Sequence, residues 1–211
     1  MKSDIWHERY RKKYDFLNYH LEIVIRRKLA KILSRIKGTK LEVGCGRAII
    51  SDYIGKDDMV IASDLSKNNV KFAKQNYTRI YDFMVCDAKA LPFREKSFEV
   101  VFSQGLYEHF NDDNLETLLK ESNRVCNITI IDVPLEGWKL FLPFRFSLTN
   151  LKYEGSWGER LLSKEFWLKK LEKFGEVKYE AYNNFFIPKK ECECIFTVRH
   201  ADSIGEKAGV N

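Results

Sequence analysis

The strongest constraint on the fold is an alternation of short apolar runs with helical stretches, which continues from residue 40 to residue 133. The runs have the length of strands, and the stretches between them carry apolar residues at helical spacing. This alternation is typical of a parallel sheet with helices on both faces. We therefore expect an α/β fold with a doubly wound, Rossmann-like sheet. The predicted strands are Lys40–Val43, Met59–Ser63, Phe83–Cys86, Phe98–Ser103 and Ile128–Val133, and the predicted helices are Ala48–Ile54, Lys67–Asn76 and Asn114–Val125.

Two helical features stand out beside this pattern. Residues 5–37 form an amphipathic helical segment that Gly38 closes, and this segment either covers a sheet edge or caps the active site. Within the alternation, Asp113 is followed three residues later by Glu116, which is a capping-box arrangement for the third helix. We expect Asp113 to begin that helix.

The regular pattern stops after Pro134 and resumes near Arg160. A helix is then predicted over residues 163–174, stopped by Gly175. Two strand-like runs follow and suggest an antiparallel hairpin that completes the sheet. These runs are Val177–Tyr182 and Cys192–Arg199.

A chain of 211 residues fits one medium α/β domain with a modest appendage. We assign residues 1–37 to an N-terminal helical cap and residues 38–200 to the domain. Residues 134–162 are an inserted loop on the substrate side, and residues 201–211 are a flexible tail. This loop is rich in aromatic residues, which are Trp138, Phe141, Phe144, Phe146, Tyr153 and Trp157.

Composition excludes several classes of protein. The N-terminus lacks the apolar core of a signal peptide, and no apolar run approaches the roughly 20 residues that span a bilayer, so neither export nor stable membrane insertion is expected. The five cysteines are scattered without C-x-x-C spacing, which favours reduced thiols in a cytoplasmic protein and predicts no metal site. The net charge of +6, without a dense basic block, does not require nucleic acid as a partner.

A glycine-rich turn follows the first predicted strand. Gly44 and Gly46 allow a sharp bend and a close approach to a ligand, with Cys45 between them, and the next helix presents unpaired N–H groups there. Glu42 distinguishes among ligands, because a carboxylate before the glycines repels a pyrophosphate but attracts the ammonium group of a methionine moiety. The third glycine of the dinucleotide fingerprint is also missing, since Ile49 occupies its place.

Acidic residues also end the next two strands. Asp64 lies twenty residues beyond Gly44, where a carboxylate accepts hydrogen bonds from both hydroxyls of a ribose, and Leu65 offers an apolar side for adenine. Asp87 ends the third strand, where it suits an exocyclic adenine amine, with the backbone of Ala88 beside the ring. The alternative interpretation is that each acid caps a helix after a βα turn.

Together these motifs resemble the class I S-adenosylmethionine-dependent methyltransferases. They are most similar to the small-molecule branch that includes ubiquinone and menaquinone methyltransferases. The resemblance is strong over residues 38–133 and loose over 163–199. The motifs that carry it are Leu41–Gly46, Ala62–Ser66, Cys86–Ala88, Leu91–Phe93 and Phe98–Val101.

The resemblance implies a seven-stranded sheet whose last strand is antiparallel. It implies that Glu42 and the glycine turn hold the methionine end of S-adenosylmethionine, Asp64 the ribose and Asp87 the adenine. It also implies that Ser103 and Gln104 face the cofactor near its sulfonium. Two residues depart from the pattern: Ala48 stands where many members carry a glycine, and Arg47 lies inside the turn, facing either solvent or the cofactor's carboxylate.

Methyl transfer to oxygen or carbon requires alignment and removal of a proton by a base. The segment after the fourth strand offers Tyr107, Glu108 and His109, of which His109 is the candidate base; the alternative is a packed, hydrogen-bonded histidine. The aromatic loop either lines an acceptor pocket, stacks on RNA bases, lies on a membrane surface or packs over the sheet. We therefore expect methylation of a small acceptor, apolar or aromatic. An RNA or protein acceptor, and a non-catalytic S-adenosylmethionine-binding protein, are the alternatives; the oligomeric state is left open.

Overall fold

The computed structural model describes residues 16–56, 58–137, 160–184 and 187–201. Side chains are described within these ranges except at 16–23, 183–184 and 187–190. The predicted aromatic loop falls almost entirely outside the described residues, as do the first part of the N-terminal segment and the tail from residue 202.

Seven strands are hydrogen-bonded in the order β3-β2-β1-β4-β5-β7-β6. The chain divides into two compact units. Within the described residues, the first unit runs to Phe102 and includes Arg124–Cys126, and the second takes Ser103–Asn123 and the residues from Asn127 onward. The predicted α/β class with a seven-stranded, mostly parallel sheet is confirmed.

The first unit contains α1 (Phe16–Ser34), β1 (Lys40–Val43), α2 (Ile49–Ile54), β2 (Val60–Asp64), α3 (Lys67–Asn76) and β3 (Asp82–Val85), with most of β4 (Phe98–Gln104). Strand β1 pairs in parallel with both β2 and β4, and β2 pairs in parallel with β3. All four residues of β1 are buried, as expected of a central strand in a parallel sheet. The carboxyl ends of β1, β2 and β3 therefore lie side by side.

The second unit contains a short 3₁₀ helix (Tyr107–His109), most of α4 (Asp112–Val125) and β5 (Cys126–Pro134), α5 (Lys164–Leu171), β6 (Gly175–Asn184) and β7 (Ile187–His200). Strand β7 pairs antiparallel with both β5 and β6. The predicted antiparallel hairpin is confirmed, and its long strands extend beyond the predicted runs. Helix α5 is anchored by Trp167, which is fully buried and whose ring lies 6.5 Å from that of Phe196 of β7, at a tilt of 37°.

Two predicted helix boundaries are wrong. Helix α4 begins one residue before the predicted capping box, because Asn111 accepts the backbone N–H of Asn114 through its side-chain oxygen, at 3.0 Å, and so caps the helix in place of Asp113. The helix predicted over 163–174 ends at Leu171, although its start is confirmed: the Ser163 hydroxyl accepts the N–H of Phe166.

Candidate cofactor site

The turn after β1 is built from residues in the left-handed backbone conformation. Gly44 has φ 66°, Gly46 has φ 52°, and Ala48 has φ 53° although it carries a side chain. A backbone hydrogen bond from Cys45 N–H to the Ser63 carbonyl, 2.8 Å long, ties the turn to β2. The glycines are needed here because this conformation costs other residues about 1–2 kcal/mol.

Glu42 points its carboxylate into the start of helix α2. It is 3% exposed and accepts hydrogen bonds from the side chain and the backbone N–H of Ser51. Ala48 makes no side-chain cap for this helix, so Glu42 of β1 supplies the acceptor instead. Burial raises the pKa of Glu42 from its ordinary value of 4.5 to about 7, although the Ser51 hydrogen bonds and the charge of Arg26 lower it.

Asp64 joins the glycine turn to the start of α3. Its Oδ2 accepts the N–H of Gly46 at 2.8 Å, and its Oδ1 accepts the N–H of Ser66 at 2.8 Å and the side-chain amide of Asn69 at 3.3 Å. Burial raises the pKa of Asp64, although these hydrogen bonds lower it. The cap of α3 is the Ser66 hydroxyl and not Asp64. Since an ionised carboxylate has about four acceptor sites, Asp64 retains capacity for a ligand hydroxyl.

The end of β3 is more open. The Oδ1 atom of Asp87 accepts the N–H of Lys89 at 2.9 Å, and its side chain is 42% exposed. Leu65 is 46% exposed, and Ala88 is half-buried. An exposed apolar side chain and an exposed carboxylate at the ends of two neighbouring strands are compatible with a flat ring that carries an amine.

The structure therefore places the eight predicted cofactor residues of the first unit at the carboxyl ends of three neighbouring strands. It joins two of them directly, since Gly46 donates to Asp64. Carboxylates of this kind fit the polar groups of S-adenosylmethionine, namely an ammonium, a pair of hydroxyls and an amine. These residues are Glu42, Gly44, Cys45, Gly46, Asp64, Leu65, Asp87 and Ala88.

The second unit holds the remaining predicted residues. Ser103 is fully buried, and its hydroxyl makes no hydrogen bond to any residue that the structure describes. Gln104 donates through Nε2 to Oδ2 of Asp132 at 2.9 Å, and the Gly105 N–H donates to the Asp132 carbonyl at 3.0 Å. A buried hydroxyl in this state requires an explanation, such as a bound water or a ligand.

His109 lies in the short 3₁₀ helix with its side chain 2% exposed. Its Nε2 is 3.8 Å from Oε1 of buried Glu108, and Tyr107 shares a hydrogen bond with the Ser122 hydroxyl at 2.7 Å. Arg160 fixes the segment by donating to the carbonyls of Glu108 and Phe110. These contacts favour the packed interpretation of His109, and its role as a base stays a prediction.

Sequence reasoning missed three residues that lie beside the predicted ones, two in the first unit and one in the second. Ser51 and Asn69 hold the carboxylates of Glu42 and Asp64, and Asp132 is a fully buried acid at the end of β5. A signal existed for Asp132, since it interrupts an otherwise apolar strand in the run Ile128–Val133. Nothing in the local sequence pairs Ser51 with Glu42.

No group of three or more His, Cys, Asp or Glu residues in the described part of the chain is arranged to hold a metal ion. The described helices also include none that is both long enough and apolar enough to cross a bilayer.

Comparison with known proteins agrees with this geometry. Residues 41–128 match a protein family described as a methyltransferase domain. A tRNA (carboxymethyluridine(34)-5-O)-methyltransferase of Xenopus tropicalis is 37% identical over 71 residues, which cover 33% of this chain and 10% of that protein. The chain thus matches about a tenth of the length of this curated relative.

Two solved structures are similar along most of the chain. A protein from Pyrococcus horikoshii OT3 has a TM-score of 0.67 at 19% identity, covering 92% of this chain and 98% of that chain. A magnesium protoporphyrin IX methyltransferase from Synechocystis PCC 6803, with bound S-adenosylhomocysteine, has a TM-score of 0.70 at 13% identity, covering 93% of this chain and 95% of that chain. At such identities the likeness shows the fold alone.

The match of residues 41–128 to a methyltransferase domain supports the predicted class and the predicted cofactor, S-adenosylmethionine. The narrower resemblance to ubiquinone and menaquinone methyltransferases stays a prediction.

Proposed function

We propose that this methyltransferase domain transfers a methyl group from S-adenosylmethionine to a small acceptor, apolar or aromatic. The observation that carries the cofactor assignment is the joined set of Glu42, the glycine turn and Asp64, held by the hydrogen bond from Gly46 to Asp64. When bound, the cofactor supplies an electrophilic methyl group. The work of the chain is then to bind the cofactor, orient it and exclude water.

The residues take separate roles in this proposal. Glu42 accepts the ammonium of the methionine end, Asp64 accepts the ribose hydroxyls, and Asp87 accepts the adenine amine, each by charge-assisted hydrogen bonds. Leu65 and the backbone of Ala88 lie beside the ring. Ser103 and Gln104 serve the sulfonium end, and the Ser103 hydroxyl supports that role because it has no hydrogen-bond partner in the described part of the chain.

The preference for a small acceptor rests on sequence. The segment predicted to lie on the substrate side carries six aromatic residues between 138 and 157, and the net charge of +6 is not concentrated in a dense basic block. His109 and Asp132 are two titratable residues of the second unit that are candidates for handling the acceptor's proton.

The first test measures S-adenosylhomocysteine formation with purified chain against a panel of quinols, phenols and heteroaromatic acids, in parallel with total RNA and a protein extract. The proposal predicts turnover with members of the small-molecule panel and none with RNA or protein. Turnover with the macromolecules alone would contradict it.

An RNA acceptor is the second candidate, because the tRNA methyltransferase of Xenopus tropicalis matches part of this chain. It predicts that the chain is retained on immobilised tRNA and that retention weakens steeply with salt. A non-catalytic S-adenosylmethionine-binding protein is the remaining alternative, and it predicts tight binding of the cofactor with no turnover on any acceptor.

A further inference from the structure

Strand β6 lies at one end of the strand order, so one of its two edges has no neighbouring strand among the described residues. It has ten residues, whereas β3 at the other end has four. An edge strand presents backbone N–H and C=O groups that pair readily with another extended chain. The pairing of β6 with β7 shifts register after Tyr182, so the regular part of this edge runs over residues 175–182.

Two kinds of side chain line this edge. Glu176, Lys178 and Glu180 are exposed and alternate along the strand, so they lie on one face of it. Lys178 Nζ is 3.3 Å from Oε1 of Glu176, and both side chains are more than half exposed. Tyr179 lies on the other face, where its ring centre is 6.1 Å from that of Phe196 in β7, yet it stays 45% exposed. The edge thus combines an exposed aromatic ring with a row of alternating charge.

The alternating charges restrict how two copies of this edge can pair. Two identical antiparallel strands related by a twofold axis pair around one central residue, and directly opposite side chains lie on the same face. With Lys178 or Glu180 at the centre, that residue lies opposite its own copy, and the like charges oppose pairing. With Tyr179 at the centre, Lys178 lies opposite Glu180 of the second copy, and this pair of opposite charges occurs twice.

The length of the overlap also favours Tyr179 as the central residue. A centre at Val177 brings opposite charges together as well, but it overlaps only residues 175–179 before β6 ends. A centre at Tyr179 overlaps the regular edge over residues 176–182. It also places the two exposed Tyr179 rings opposite each other, and aromatic cross-strand pairs stabilise antiparallel strands.

We propose that two copies of this chain associate through the β6 edge, antiparallel, with Tyr179 at the twofold axis. Each copy contributes Lys178 and Glu180 to two symmetric ion pairs, and part of each Tyr179 ring is removed from water. The charge row opposes the neighbouring registers, which is one way in which natural edge strands avoid unspecific pairing. Strand β6 belongs to the second unit, so the inference does not depend on the proposed acceptor or on the cofactor turn.

Sedimentation equilibrium of the full chain, with charge reversals, tests this interface. The wild type should form a dimer with a dissociation constant below about 100 µM. Lys178→Glu and Glu180→Lys should each weaken dimerisation by about tenfold or more, because each turns both ion pairs into like-charge contacts. Lys71→Glu, which reverses an exposed charge on α3 of the first unit, is the control and should dimerise like the wild type.

Recombining the charges distinguishes lost ion pairs from a damaged fold. An equimolar mixture of the Lys178→Glu and Glu180→Lys chains brings opposite charges together at both positions, and so does the double variant. Both should recover the wild-type affinity to within about threefold. A wild type that stays monomeric at about 100 µM, or a dimer that either reversal leaves unchanged, would overturn the proposal. So would folded single variants, checked by thermal unfolding, whose mixture and whose double variant both stay monomeric.

Discussion

Among single residues, Glu42 has the most unusual environment. Its carboxylate is buried at the end of a central strand, where it caps helix α2 through Ser51. Burial disfavours the charged form, and the pKa of about 7 means that an appreciable fraction of this group is protonated near neutral pH without ligand. Two measurable consequences follow, one for stability and one for binding.

The first is a pH dependence of stability. Because the folded-state pKa of Glu42 lies above its ordinary value of 4.5, the folded chain binds more protons between about pH 4.5 and 7, and this contribution is lost as pH rises through 7. Glu42→Gln removes this titrating group. Without ligand, the free energy of unfolding of the variant, relative to that of the wild type, should therefore increase from pH 5 to pH 8, by about 3 kcal/mol at most. Urea denaturation at several pH values measures this.

The control for that experiment is Glu95→Gln, which replaces an exposed glutamate. Its stability should follow the wild-type profile throughout. A difference between Glu42→Gln and wild type that stays constant from pH 5 to pH 8 would show that Glu42 titrates normally.

The second consequence concerns ligand affinity. An ammonium ligand requires ionised Glu42, so the affinity of the wild type for S-adenosylhomocysteine should rise as pH increases through about 7 and then level off, with protons released on binding below that pH. Calorimetry in two buffers of different ionisation enthalpy measures both quantities. Proton uptake on binding near pH 6.5 would contradict the assignment of the ammonium to Glu42.

Substitutions at Ala48 test the cost of the left-handed backbone conformation in the turn. Its φ of 53° carries a cost that glycine avoids, but its methyl group is fully buried and glycine costs more chain entropy, so Ala48→Gly should change the free energy of unfolding by less than about 1 kcal/mol. Ala48→Val adds bulk and a β-branch to the same conformation and should cost at least about 2 kcal/mol. Equal stabilities of Ala48→Val and wild type, by urea denaturation, would refute this account.

At the scale of elements, helix α5 is held to its sheet by one aromatic side chain. Trp167 is fully buried, yet its indole N–H has no hydrogen-bond partner among the described residues. Trp167→Ala should cost about 3–5 kcal/mol. Trp167→Phe should cost less than half as much, because it keeps a ring and removes a buried donor that costs about 1–3 kcal/mol. Equal losses in thermal or urea unfolding would contradict this account.

The elements show what local sequence reports and what it does not. Strand β1 and helix α3 begin and end where their patterns predict, because β1 stops at the glycine turn and α3 has the Ser66 cap at its start. The predicted start of α4 is wrong because Asn111 and Asp113 are both good capping residues. The sequence alone does not show which of them accepts a backbone N–H of the first turn. Strands β6 and β7 run past their apolar cores, since each is extended by pairing with the other.

The candidate cofactor site shows the same difference between what the local sequence predicts and what tertiary packing decides. Position in the alternation was enough to predict that Glu42, Asp64 and Asp87 lie at one edge of the sheet, because the ends of parallel strands meet there. The residues that orient them come from other elements, as with Ser51 on α2 and Asn69 on α3. Such pairings depend on tertiary packing and leave no trace in local periodicity.

For the whole molecule, the resemblance and the fold agree, while the choice of acceptor is expected to depend on segments outside the matched family. The matched family spans residues 41–128, which hold the cofactor turn and the acids at the first strand ends. The N-terminal helix and the loop predicted over residues 134–162 lie outside that span. Function on a shared fold is decided by such additions.

The most direct measurement is a calorimetric titration of the full chain with S-adenosylhomocysteine, made on the wild type and on Asp64→Asn, with exposed Asp113→Asn as the control. We predict saturable binding at one site per chain in the wild type and in the control. Asp64→Asn should bind more weakly by about 1–3 kcal/mol, since one charged acceptor of the ribose is lost. The absence of any saturable heat in the wild type would contradict the central claim that the turn after β1 holds S-adenosylmethionine.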